Sequence, residues 1–469
     1  MEQLQHALAL ARDQYARSID TLRMLVRARS LTGEEGGAQR MVANLVRVLG
    51  ADVTTAEPDV GALFEAFPTV AQYPTHWEHD LILPYMDLPT HQALQDSGLQ
   101  TVLNYDGRPN VIGFWKGTGG GRSLVLNAHI DTVTIEPAAQ WTRDPFGGEV
   151  VDGVMYGRGT SDMKGGLTAA LMAMTYLHEA GVKLRGDVVF QSVVNEEHAG
   201  NGTLDAVRRG FVADAAIVLE PTNNTIMISH PGGLYWQVTL TGTQRSPGAR
   251  WKGAEQDGVS AIELLSPVVE ALLSVERSYN QDRTSGANEP APFSMVMGKI
   301  AGGHYETVTA GEVVLKGGAY FAPDVGDVVA VMERFRAAIA EANARHPLLR
   351  RYPAKLEFLH HDDSTSQSHD ITIAQRMSAV LAHRGGESGI HAGTFCCDMR
   401  HLVNQGNIPS IIFGPGTIAQ AHKPDEHIVL AEYLACIEHL IAFIAHWCNE
   451  DTDRAPSNAT IRRHASTHT

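Results

Sequence analysis

Apolar positions along the chain change their period twice, and the changes divide it. Between residues 14 and 29, Tyr15, Ile19, Leu22 and Leu25 recur at helical spacing and predict an amphipathic helix. The turn-rich SLTGEEGG ends it, and Met41, Val42, Leu45, Val46 and Leu49 predict a second. Residues 55–105 lose this period, are rich in proline and aromatics, and read as loop with a short helix near 91–97. From Asn110 strands and helices alternate. VIGFW and SLVLNAH read as strands, and Lys164 to Ala180 as a helix with Leu167, Leu171, Met174 and Leu177 on one face. DVVFQSVVNE is nearly all apolar over about ten residues and reads as a strand buried on both faces. AAIVLE reads as another. This alternation predicts an α/β fold with a mixed, largely parallel sheet and helices on both of its faces.

After HPGGL the period becomes two. YWQVTLTG alternates as a half-exposed antiparallel strand does. GVSAIELLSPVVEALLSV follows as a helix with Ile262, Leu265, Val269 and Leu272 on its apolar face. FSMVMGKI and EVVLKGGAYF are strands, VVAVMERFRAAIAEANA a helix and KLEFLHH a strand. The order β-α-β-β-α-β predicts an inserted α+β, ferredoxin-like domain. ITIAQRMSAVLAHR then resumes helix, IPSIIFGPG is a buried strand, and LAEYLACIEHLIAFIAHW is the last helix. The expected organisation is a main domain from 1–230 and 362–449, an inserted domain at 231–361, and a disordered tail at 450–469. A length of 469 residues also favours two domains over one core.

Composition narrows the partners. Net charge is -16, with 53 acids against 37 Lys+Arg, which argues against a nucleic-acid ligand. The four cysteines, Cys396, Cys397, Cys436 and Cys448, lack CxxC spacing and fit a reducing cytoplasm. The first residues lack the apolar core of a signal peptide, and no long uncharged apolar span marks a membrane segment. The expectation is a cytoplasmic protein that acts on a small molecule.

Candidate chemistry gathers where apolar runs end. In NAHIDTV, His129 and Asp131 share one side of a strand end, so the carboxylate is placed to orient the imidazole as a metal ligand. Asp162 follows the glycine turn of GRGTSD and precedes a helix, where a carboxylate can bridge two cations or simply cap. Glu196 and Glu197 end the most apolar strand. Adjacent buried acids repel unless a cation compensates one of them. Glu220 ends AAIVLE, and His422 follows the loop GPGTIAQAH. Strand ends line the binding crevice of open α/β sheets, so these residues read together as a two-metal hydrolase site.

The combination of NAHIDTV, the WTRDPFGGEVVDGVMYGRGTSDMKGG block, NEEHAGNGT, LEPT and AHKPDEH resembles the peptidase family M20 hydrolases, over most of the chain. These include acetylornithine deacetylase, succinyl-diaminopimelate desuccinylase, aminoacylase-1 and carboxypeptidase G2. The resemblance implies a catalytic domain holding two Zn2+ per chain, with Co2+ or Mn2+ as substitutes, and an inserted lid that forms a homodimer through 231–361. It implies that His129, Asp162 and Glu220 hold one metal and Asp162, Glu197 and His422 the other. It further implies Asp131 as the residue orienting His129, Glu196 as general base, and a cis peptide at Asp162–Met163. Two features depart from the family pattern. No histidine lies between His230 and His304, where a lid oxyanion donor is usual, which leaves His304 as first candidate beside Arg245 and Lys316. EVVLKGGAYF carries no arginine to grip a substrate carboxylate. The expected reaction is hydrolysis of a C–N bond in a small molecule. An aryl or heteroaryl amide, formamide or amine without an α-carboxylate is the alternative substrate. A non-catalytic binding paralogue is opposed by the complete ligand set and Glu196.

Overall fold

The computed structural model describes residues 2–68, 70, 104–281 and 293–451. The helix expected near 91–97 lies outside them, as does the expected tail beyond its first two residues. Two compact units emerge. One is Met1–Pro68, Gln95–Ser229 and Ser366–Thr469, and the other holds His230–Thr365.

The first unit opens with helices α1 (Glu2–Asp13), α2 (Tyr15–Arg27) and α3 (Gly36–Val48). The sequence reading had no counterpart for α1, because its buried stripe is only Ala7, Leu8 and Ala11. Strand β1 (Asp52–Ala56) runs into the stretch expected to be loop, and helix α4 (Val60–Ala66) lies inside it. Asp59 caps α4 by accepting the Ala62 N–H at 3.0 Å. Next come β2 (Asn110–Trp115), β3 (Leu124–His129), β4 (Glu149–Val151), β5 (Val154–Tyr156) and α5 (Lys164–Glu179). They are followed by β6 (Val188–Val193), α6 (Asn201–Arg208), β7 (Ala215–Val218) and β8 (Ile226–Met227).

The second unit follows the expected order: β9 (Gly232–Thr241), α7 (Leu265–Asn280), β10 (Phe293–Gly302), β11 (Glu312–Phe321), α8 (Val328–Arg345) and β12 (Lys355–Asp362). Its four strands form one sheet in the order β10-β11-β9-β12, each neighbouring pair antiparallel. Leu234, Trp236, Val238 and Leu240 alternate into its core. The stripe that covers this core is Ala261, Leu264, Val268, Leu272 and Val275, rather than one through Ile262, which is exposed. A 3-10 turn over Ala261–Leu264 starts the helix and shifts its phase.

The chain then completes the first unit with α9 (Thr372–Arg384), β13 (Ile390–His391), β14 (Ser410–Ile412), β15 (His427–Val429) and α10 (Leu430–Trp447). Its main sheet runs β1-β2-β6-β3-β7-β14-β8-β13. The central strands β6, β3, β7 and β14 are mutually parallel, while β1, β2 and β8 make antiparallel pairs. Every residue of β3, β6 and β7 is buried, as apolar runs without alternation predict. The ten-residue strand expected at 187–196 is only six residues long; Asn195, at φ 66°, turns the chain away from the sheet.

Helices α5 and α10 pack together over this sheet, with α1 against both. α10 has the length and apolarity of a membrane span, the one such helix among the described residues, yet most of it is buried in the protein core. α5 is buried from Lys164 through Leu177, not along one stripe. The Lys164 ammonium donates to the carbonyls of Leu25 (3.0 Å) and Ala28 (2.8 Å), where α2 ends. Burial pushes its pKa down to about 7.

Candidate metal centre

Three adjacent parallel strands deliver the site. β6, β3 and β7 end at one edge of the sheet, and His129 is the last residue of β3. Glu196 and Glu197 lie in the turn after β6, and Glu220 two residues beyond β7. His422 comes from the loop after β14, where it holds a left-handed φ of 61°. Asp162 ends the glycine turn before α5, and the bond from it to Met163 is cis, as expected.

The His129 Nδ1–H donates to the Asp131 carbonyl at 2.9 Å, while the Asp131 carboxylate lies farther off, at 3.6 Å. This fixes the tautomer and leaves Nε2 as the ligand atom. Nε2 lies 3.1 Å from Asp162 Oδ1 and 3.7 Å from Glu220 Oε1. On the opposite side, His422 Nε2 is 2.9 Å from Glu197 Oε2 and 3.5 Å from Asp162 Oδ2. Asp162 therefore presents one oxygen to each histidine. Glu196 Oε2 sits 3.9 Å from His129 Nε2, so its oxygen also falls within the cluster formed by His129 and Glu220.

The Asp131 carboxylate, which the sequence reading expected to orient His129, is engaged elsewhere. It accepts the backbone N–H of Glu196 and of Glu197, both at 3.2 Å, and the Thr32 hydroxyl at 2.9 Å. It thus sets the turn that separates the two glutamates. His304 belongs to the other unit, in the exposed turn after β10. Arg245, in the same unit, pairs with Asp257 at 2.7 Å. Lys316 is half-buried on β11.

Residues not singled out from sequence complete the surroundings. Glu426 and Arg158 form a fully buried pair at 2.7 Å, beside the turn that carries Asp162. Asp398 is buried as well and adds its charge to the field on Glu196 and Glu220. Glu426 stood in the AHKPDEH motif, but an acid in a loop rich in charge carries no mark of burial.

A sequence model of peptidase family M20/M25/M40 matches residues 125–446. The chain belongs to that family. The M20 chain is 30% identical over 368 residues to an N-formyl-4-amino-5-aminomethyl-2-methylpyrimidine deformylase of Halalkalibacterium halodurans, covering 74% of this chain and 84% of the relative. Among solved structures, a Staphylococcus aureus tripeptidase superimposes with a TM-score of 0.67 at 18% identity, over 93% of this chain and 99% of that one. A Bacillus subtilis dinuclear metal binding peptidase of the M20 family superimposes at 0.59 and 14% identity, over 92% and 98%. M20 members are hydrolases of carbon–nitrogen bonds, and the fold and the candidate metal residues agree with that membership.

The electrostatics test whether metal ions fit this M20 site. Burial and nearby carboxylates push Glu196 and Glu220 well above the usual carboxylate range. Burial alone would lower His129, but Asp162, Glu220, Glu196 and Asp131 outweigh it and raise the imidazole. The same balance, with Glu197 and Asp162 as partners, raises His422 to about 11. Asp162 is pulled down: burial opposes this, but hydrogen bonds from the two histidines prevail. A buried cluster of acids that draws protons onto its neighbours calls for cations. Imidazole nitrogens and carboxylate oxygens are donors that zinc-class ions take. The residues fit two such ions.

Proposed function

We propose that this M20 hydrolase is a di-zinc amidohydrolase that removes a formyl or short acyl group from the amine of a small heteroaromatic molecule. The observation that carries the two-metal part is Asp162, whose two oxygens face His129 and His422 separately. His129, Asp162 and Glu220 would hold one ion, and Asp162, Glu197 and His422 the other. Bound there, the metal pair supplies Lewis-acid polarisation of the scissile carbonyl and lowers the pKa of a water molecule.

The remaining steps belong to side chains. Glu196 takes a proton from the attacking water and returns it to the leaving amine. Burial and the neighbouring carboxylates raise its pKa above the usual carboxylate range, which favours its taking up a proton. Asp131 keeps Glu196 and Glu197 apart by holding their N–H groups. His304 is the proposed donor to the substrate oxyanion, because a glycine turn carries it and an imidazole donates a hydrogen bond without adding a full charge near the metals.

The heteroaromatic substrate rests on the 30% identical deformylase and on a β11 strand without arginine. Kinetics of the metal-loaded enzyme test it. A formamide of an aminomethylpyrimidine should exceed N-acetylornithine and N-succinyl-diaminopimelate in kcat/KM by about 100-fold or more, the scale at which an apolar pocket discriminates by fit. The reverse order would overturn this substrate assignment and leave the amidohydrolase reading in place.

A further inference from the structure

Among the buried charged groups without a task is the constellation built on Glu426. Glu426 is fully buried, and its carboxylate takes four hydrogen bonds. Oε1 accepts the N–H groups of Ser161 (2.9 Å) and Asp162 (3.0 Å). Oε2 accepts the Gly159 N–H (2.9 Å) and the Arg158 guanidinium (2.7 Å). The Glu426 carbonyl accepts the Gly157 N–H at 2.8 Å. Arg158 in turn donates to the Thr134 carbonyl from Nε (3.2 Å) and Nη2 (3.0 Å), and its Nη1 lies 3.4 Å from the Lys423 carbonyl. Its guanidinium stands over the Trp141 ring at 5.2 Å.

These contacts fasten two loops together. One is the 157–162 turn that ends in Asp162, and the other is the 422–427 segment that begins with His422. Arg158 and Glu426 carry opposite charges, so the clamp adds no net charge beside a cluster that already holds Asp131, Asp162, Glu196, Glu197 and Glu220. A buried pair costs desolvation that its attraction only roughly repays, so stability alone is a weak reason for it.

We propose that Glu426, backed by Arg158, is the positioning residue for the metal position formed by Asp162, Glu197 and His422. This rests on the two-metal reading above. Two of the three ligands at that position hang from the clamp. At the other position, only Asp162 does, while His129 and Glu220 are fixed by their own strands. Loss of the clamp should therefore act unequally on the two ions.

The test is Glu426→Gln, which keeps the shape but offers one acceptor oxygen where the carboxylate offers two. Metal-stripped full-length protein is titrated with Zn2+ by calorimetry against a competing chelator. Wild type should bind two ions. The variant should keep one affinity within about 3-fold and lose at least 10-fold at the other, the usual range for a residue that orients ligands. The absorption spectrum of the Co2+ form should change for one ion and not for the other. Should Glu426→Gln fail to fold, the double variant Arg158→Met/Glu426→Gln leaves no unpaired buried charge and is read in the same way. Two wild-type affinities in a folded variant overturn the proposal, as does an equal loss at both positions. A wild-type protein that binds no metal overturns the two-metal reading itself.

Discussion

Glu196 and Glu197 are neighbours that one turn points at different partners. Glu197 faces His422 at 2.9 Å, while Glu196 stands 3.9 Å from His129. Glu196→Gln should keep both metals and lower kcat by about 100-fold or more, the scale of a lost general base. Metal loss by the variant, seen in elemental analysis, would make Glu196 a ligand instead. A second residue reports on pH. Burial, aided by the Arg384 guanidinium, pushes His439 down to about 4. An unfolded histidine titrates near 6.5, so below that pH the unfolded chain takes up a proton that the folded one refuses. Stability present above about 6.5 is therefore lost as pH falls towards about 4. His439→Phe should escape this loss and gain about 2–3 kcal/mol on wild type between pH 7 and 4.5. Parallel urea-unfolding midpoints of the two proteins at both pH values would refute it. His129, Asp162, Glu197, Glu220 and His422 stood out in the sequence because each ends an apolar run or a glycine turn. Glu426 and Arg158 did not, because their burial depends on loops brought together from opposite halves of the chain.

At the scale of elements, the site depends on how closely α5 lies on the sheet. A Cβ built on Gly166 would fall 1.9 Å from the Leu219 carbonyl oxygen, a backbone atom next to the candidate ligand Glu220. Gly166→Ala must push helix and strand end apart. It should cost about 1–3 kcal/mol, the range for overpacking, and weaken metal binding at His129 and Glu220. An unchanged melting temperature together with unchanged metal content would contradict this. Periodicity located most of the elements, since α2, α3, the strands β3, β6 and β7, and the β-α-β-β-α-β unit follow their expected segments. It missed α1, whose apolar stripe is three residues long, and α4, which is a short capped turn inside a proline-rich stretch. It misphased α7 because the 3-10 start, capped by Ser260 and Glu263, is a local hydrogen-bond effect with no apolar period.

The molecule as a whole should carry two metal ions per chain, and a strong chelator should abolish activity that Zn2+ restores. Elemental analysis of gently purified protein checks the count. We propose assembly as well. β10 is an outer strand of the second unit's sheet, with Val296 63% and Ile300 57% exposed, and pairing with a second copy would cover it. Light scattering at micromolar concentration should give a dimer; a monomer would refute the proposal.

The order of the candidate metal ligands along the chain also sets a timetable. His129, Asp162, Glu196, Glu197 and Glu220 leave the ribosome early, but His422, Glu426 and the helix α10 that covers α5 come about 200 residues after the first half of their unit ends. At about 5–20 residues per second, that interval lasts on the order of 10–40 s. Throughout it the nascent chain exposes the face of α5 that α10 will cover and an acidic cluster that lacks its second histidine. The position formed by Asp162, Glu197 and His422 would therefore be completed only at the end of synthesis, whereas His129, Asp162 and Glu220 are all made early.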